Sequence, residues 1–155
     1  MKKLIVGLLA LCWTSLISAQ QEVIELAKQD IRSGRMGLVV TALDLSPEQQ
    51  EKFWPLYRAY ADEQDSLLAR RIAMLQEFAA NYEHMTDDLA NSIAEQSFAI
   101  QRERTERRER YFAKFSEVLG PVLAARFIQV DSQISTLLDF EMMRNTPLIA
   151  PEAVQ

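Results

Sequence analysis

After residue 20, apolar residues recur every three or four positions through almost the whole chain, the period of an amphipathic helix. From Glu22 to Leu43 the steps are Val23, Ala27, Ile31, Gly34, Leu38 and Ala42. Gly34 and Gly37 weaken this first helix by up to ~1 kcal/mol each relative to Ala. They fit a frayed or bent helix or, at Gly34, the close approach of a second one. Ser46-Pro47-Glu48-Gln49 then announces a new start. Ser46 is suited to cap, Pro47 to the first helical position, and Gln49 to reach back and close a capping box.

The second helix is predicted from Pro47 to about Tyr82, with a stripe of Phe53, Tyr57, Tyr60, Gln64, Leu68, Ile72, Leu75, Ala79 and Tyr82 flanked by Trp54, Ala61 and Phe78. Pro55 removes one backbone hydrogen bond and predicts a kink over Glu51 to Pro55. Thr86, followed by Asp87 and Asp88, caps a third helix, because acids in a first turn complement the helix dipole. That helix reaches about Leu119, where Gly120-Pro121 supplies a stop and a restart. The fourth, Pro121 to Met143, shows Leu123, Phe127, Val130, Ile134, Leu137 and Leu138 on one face. The fold class predicted is all-α: a four-helix, antiparallel hairpin-type bundle with two long helices, spanning residues 20–145 as a single domain. Residues 146–155, with Pro147 and Pro151, read as an extended tail.

Residues 1–19 read as an export signal. Lys2 and Lys3 precede an apolar run from Leu4 to Trp13, and a small, polar stretch ends at Ser18-Ala19. This layout predicts export with cleavage after Ala19. The run is shorter than the roughly 20 residues a membrane-spanning helix needs, so no stable span is expected in the mature form.

Composition narrows the chemistry. The 155 residues hold one Cys and one His, which excludes a disulfide framework and a Cys/His zinc knuckle within one chain. Loss of Lys2, Lys3 and Cys12 with the signal would leave 15 basic against 22 acidic side chains and no thiol. Such a surface argues against nucleic-acid binding. His84 stands beside Glu83, Asp87 and Asp88 at the turn between the second and third helices. A single imidazole makes a poor basis for a selective metal site, so no metal and no cofactor are expected. Met142-Met143 reads as core packing ahead of a soft copper site. No nucleophile stands at a recognisable spacing from His84, and no enzymatic activity is expected.

The unusual segment is QRERTERRER, residues 101–110. Arg102, Arg108 and Arg110 read as a solvated face. The apolar stripe of the third helix, however, runs Leu89, Ile93, Ile100, Arg104, Arg107, Tyr111, Phe115 and Val118, so two arginines occupy positions due to apolar side chains. Buried without partners they would be too costly. A short turn near residues 83–86 sets Asp65 opposite Arg104 and Asp62 opposite Arg107, which predicts two ion pairs. Arg71 likewise falls on the stripe of the second helix, with Asp131 or Glu141 as its expected partner. These charges either fix the register of the hairpin or line a cleft, part apolar and part basic, open to a partner. The candidate contact residues of that cleft are Arg104, Arg107, Trp54, Tyr57, Tyr60 and Tyr111.

Leu43-Asp44-Leu45-Ser46-Pro47-Glu48-Gln49, opening a long helix, resembles the LTxxQ motif of the Spy/CpxP family, with Leu45, Ser46 and Gln49 as its structural residues. Phe53-Trp54-Pro55-Leu56-Tyr57 and Ala125-Arg126-Phe127-Ile128-Gln129 extend the likeness over about residues 22–145. Where a second LTxxQ would open the fourth helix, this chain has Leu119-Gly120-Pro121-Val122-Leu123. The resemblance implies a periplasmic envelope-stress protein of Gram-negative bacteria that forms curved helical homodimers. It implies one of two roles: an ATP-independent chaperone holding unfolded or partly folded envelope proteins, or a regulatory adaptor or heavy-metal sensor acting on a membrane sensor.

Overall fold

A computed structural model describes residues 26–27, 29–144 and 146–149. The export signal and its cleavage point lie outside these residues, as does most of the tail. The chain divides into two compact units, residues 1–37 and 38–155. Four helices and no strand are present among the described residues, and the fold is all-α. They are α1 (described from residue 26 to 43), α2 (Pro47–Ala80), α3 (Asp87–Leu119) and α4 (Pro121–Met143), with a 3-10 turn at Tyr82–His84 between α2 and α3. No helix among the described residues is long and apolar enough to cross a membrane.

The boundaries follow local chemistry. Asp44, at φ 48°, closes α1 in the left-handed region, its amide reaching the Val40 carbonyl at 3.4 Å. Asp tolerates this region better than most residues. The capping box forms as expected: Ser46 Oγ accepts from the Gln49 amide at 3.3 Å, and Gln49 Oε1 accepts from the Ser46 amide at 2.9 Å. Leu45, the third motif residue, packs half-buried against the core. Helix α2 runs continuously through Pro55 and ends two residues before the expected Tyr82. There Asn81 Nδ2 donates to the Glu77 carbonyl at 2.8 Å, and the chain tightens into the 3-10 turn. Thr86 Oγ1 accepts from the Leu89 amide at 3.3 Å and caps α3.

A single residue, Gly120, joins α3 to α4 at φ 83° and ψ 158°. This backbone region is open almost only to glycine, although a Cβ there would meet no described atom within 4 Å. Gly120→Ala should therefore cost about 1–3 kcal/mol through backbone strain alone, measured by urea denaturation.

Two stripes differ from the sequence expectation. At the end of α1 the buried residues are Val39 and Leu43, whereas Leu38 is exposed. Leu38 and Val39 are both apolar, so either of two adjacent faces satisfied the pattern. In α2 the seam is Phe53, Tyr57, Tyr60, Gln64, Leu67, Arg71, Met74 and Phe78, with seven of these fully buried and Arg71 partly so. Its steps alternate four and three, a seven-residue repeat. The expected stripe took two consecutive steps of four after Gln64 and drifted onto Leu68, Ile72, Leu75 and Ala79.

The core lies where the start of α2, the end of α3 and the start of α4 meet. Phe53, Tyr57, Tyr60, Tyr111, Phe115 and Phe127 pack there with Val39, Leu43, Ala61 and Ala124. The Phe115 and Phe127 ring centroids are 4.4 Å apart, and Trp54 stands edge-on to Phe53 at 5.0 Å. Helix α3 contacts both α2 and α4, and so buries two faces.

Candidate functional site

Three of the five arginines of residues 101–110, Arg104, Arg107 and Arg108, turn inward, and Arg102 and Arg110 remain exposed. Arg107 is 1% exposed, in the middle of the α2 seam, with its guanidinium 4.7 Å from the Tyr60 ring centroid. Its NH2 donates to Gln64 Oε1 and, at 3.4 Å, to the Tyr60 hydroxyl. The Tyr60 hydroxyl also lies beside the Asp131 carboxylate of α4. Asp131 is also 1% exposed and accepts from Arg108 Nε at 3.0 Å. A buried relay thus runs from Arg107 through Tyr60 to Asp131 and Arg108, linking all three long helices. Burial, with Asp131 beside it, pushes the Tyr60 hydroxyl well above its ordinary range. Arg107 Nε and NH1 have no hydrogen-bond partner among the described residues.

One and two turns away lies a second charged layer. Asp139 of α4 accepts from Arg104 NH1 at 2.7 Å and NH2 at 3.3 Å, and also from Arg71 NH1. Burial alone would raise the Asp139 carboxyl, but the hydrogen bonds from Arg104 and Arg71 outweigh it and hold the group below its ordinary value near 3.8. A depressed carboxyl adds stability above its unfolded value and loses it as pH falls through the folded one. The stability gap between the wild type and Asp139→Asn should thus be widest above about pH 5 and close as the solution is acidified below pH 4. Urea denaturation at a series of pH values reads this directly.

These partners correct the pairing expected from the turn. Arg104 meets Asp139 where Asp65 was expected, and Arg107 meets Tyr60 and Gln64 where Asp62 was expected. Arg71 meets Asp139 where Asp131 or Glu141 was expected. The reason is register. Glu63–Arg110 at 2.7 Å, Arg70–Glu103 at 2.5 Å and Glu77–Gln96 at 3.1 Å step by seven along α2 and back by seven along α3. That alignment is about one helical turn from the expected one, and it sets Arg107 opposite Ser66 and Arg104 opposite Ala69. Asp62 and Asp65 also lie off the α2 seam.

Arg108 needs correction too, whereas Arg110 stays on the solvated face as expected. Arg108 faces α4 and Asp131, and Arg110 pairs with Glu63, which accepts from the Tyr111 hydroxyl at 2.9 Å as well. Burial first, then that hydrogen bond, pushes Tyr111 up to about 12.

The open aromatic cleft is not found at the expected residues. Tyr57, Tyr60, Tyr111 and Arg107 are all buried, because the start of α4 closes over the seam, and Trp54 is only partly exposed. Of the six contact candidates, Arg104 lines an open groove and Arg107 reaches the floor of a smaller polar recess between α2 and α3. The groove, of about 530 Å³, lies between α2, α3, the end of α4 and the first tail residues. Met142 and Met143 border that groove, and Met143 is exposed, contrary to the core packing expected of the pair. His84 is exposed in the 3-10 turn, and no group of three His, Cys, Asp or Glu side chains suited to a metal ion occurs among the described residues.

No protein-family model matches the chain, and no curated protein or solved structure matches it either.

Proposed function

We propose that the protein is an exported stress protein of the Spy/CpxP type that holds partly unfolded envelope proteins without nucleotide. The supporting observation is the exposure of large apolar side chains on the outer faces of α3 and α4. Phe98, Leu137, Phe140 and Met143 are each between 59% and 66% exposed. They stand among charges such as the Glu141–Arg144 pair at 3.1 Å, in an acidic chain. Scattered single apolar residues on a surface carry little meaning, but a turn-by-turn run on one helix end is the kind of patch that takes a partner. Many weak apolar contacts on a charged background suit reversible holding of a client, with no energy source required. The buried aromatic seam supplies rigidity in this reading, and the outer faces supply contact.

Purified protein should suppress aggregation of a thermally unfolding client, followed by light scattering, with no nucleotide present. Leu137→Ser with Phe140→Ser should abolish most of that suppression while leaving the melting temperature unchanged, since both side chains are already in water. No suppression by the wild type at several-fold molar excess would contradict the proposal.

A further inference from the structure

We infer that the groove between α2, α3 and the end of α4 binds a single-chain amphiphile with one anionic head, of which a fatty-acid carboxylate is the simplest case. This assignment rests on the groove lining and not on the chaperone reading, and the two surfaces share only Met143.

Three observations carry the inference. The first is charge. Among the described residues, the charged side chains lining the groove are Arg71, Arg104 and Asp139. Two guanidiniums therefore share one carboxylate, and one positive charge is left over in a chain whose net charge is −5. Asp139 takes NH1 of Arg71 and both terminal nitrogens of Arg104. Each guanidinium has five N–H donors, so further donors remain for a second carboxylate, in the geometry that arginine matches best. A single added carboxylate brings the cluster to neutrality.

The second is the wall. Met74, Leu75, Ile100, Met142, Met143 and Leu148 supply hydrocarbon and thioether on both sides of that charge. Methionine adapts its shape to whatever fills the space beside it. A volume of about 530 Å³ falls within the usual range of small-molecule sites.

The third observation distinguishes a hydrocarbon chain from a peptide. The neutral polar side chains of the groove are few, Ser97, Gln101 and Thr146, and each already makes one hydrogen bond to its own protein. Gln101 Nε2 donates to Ser97 Oγ at 3.4 Å, and Thr146 Oγ1 donates to the Met142 carbonyl at 2.9 Å. A peptide would bring an N–H and a C=O at every residue, each needing a partner on leaving water. An alkyl chain brings none. The groove thus offers one polar anchor and otherwise apolar contact.

The test uses the full protein labelled with 13C at its methionine methyl groups, titrated with sodium dodecanoate below its micelle-forming concentration. The methyl resonances of Met74, Met142 and Met143 should shift saturably with one-to-one stoichiometry, while that of Met85, which is not part of the groove lining, stays still. Dodecyl maltoside, with the same chain and a neutral head, should bind at least roughly tenfold more weakly. Arg71→Leu should remove that difference and leave Arg104 and Asp139 as a neutral pair. If this variant fails to fold, the comparison of the two head groups on the wild-type protein still decides. Equal affinity for the two head groups, shifts spread over all methionines without saturation, or no shift at all would overturn the assignment. So would tighter competition by an apolar peptide carrying one Asp, which would make the groove a peptide site.

Discussion

Replacing Asp131 with Asn should lower the stability of the bundle by about 3–5 kcal/mol, the usual cost of removing one member of a buried charged pair. For a chain of this size that is a fall in melting temperature of roughly 6–20 °C. Asp131 carries the one carboxylate of the inner relay. Arg108 donates to it directly, and Tyr60 connects it to Arg107, which has only neutral hydrogen-bond acceptors around it. Asn keeps the shape and much of the hydrogen bonding, so the loss reports charge. Both guanidiniums would stay buried with their counter-charge gone, and the structure must then admit water or shift. Arg110→Met offers the contrast. Its pair with Glu63 is about half exposed on both sides, and such pairs contribute ~0–1 kcal/mol. Circular-dichroism melts of the two variants separate the buried network from the surface one.

Phe127→Ala should cost about as much, 3–5 kcal/mol, by a different mechanism. The Phe127 ring is fully buried at the start of α4, with ring centroids of Phe53, Tyr57, Tyr60 and Phe115 between 4.4 and 6.1 Å away. It is where α4 meets both long helices. Truncation removes the transferred apolar area and leaves a cavity that four rings cannot all relax to fill. Because the same contacts press α4 over Tyr60 and Arg107, the buried relay should loosen too. Denaturant unfolding should show a lower midpoint, and the near-ultraviolet circular dichroism of the native state should weaken.

The parts of this fold that could be read from sequence are those whose causes lie within four residues. Ser46 and Gln49 close a capping box, Thr86 caps α3, and Gly120-Pro121 breaks one helix and starts the next; each needs only its neighbours. The inward turn of Arg104 and Arg107 was legible for the same reason, since Ile100, Tyr111 and Phe115 share their face. Choices between near-equivalent faces were not. Leu67 and Leu68 are both leucine, and only contact with α3 decides which one is buried. The alternation of four and three from Phe53 to Gln64, continued without a double step of four, would have reached Leu67, Arg71, Met74 and Phe78.

The charge partners were harder still, because they come from α4, and the α2–α3 turn says nothing about where α4 lies. A signal for Asp131 did exist. It follows Phe127 by four and precedes Ile134 by three, so it sits on the buried face of its own helix. Arg108 was misplaced because α3 was treated as having one buried face, whereas a helix packed between two others has two.

The central claim is that α4 supplies the acids that neutralise the inward-facing arginines. A pair of double-mutant cycles tests it most directly, with stabilities from urea denaturation at neutral pH. One combines Arg104→Met with Asp139→Asn, and the other combines Arg104→Met with Asp65→Asn. A coupling of about 1 kcal/mol or more between Arg104 and Asp139, with additivity within ~0.5 kcal/mol between Arg104 and Asp65, is the predicted result. Coupling to Asp65 with none to Asp139 would return the charges to the α2–α3 hairpin and contradict the account.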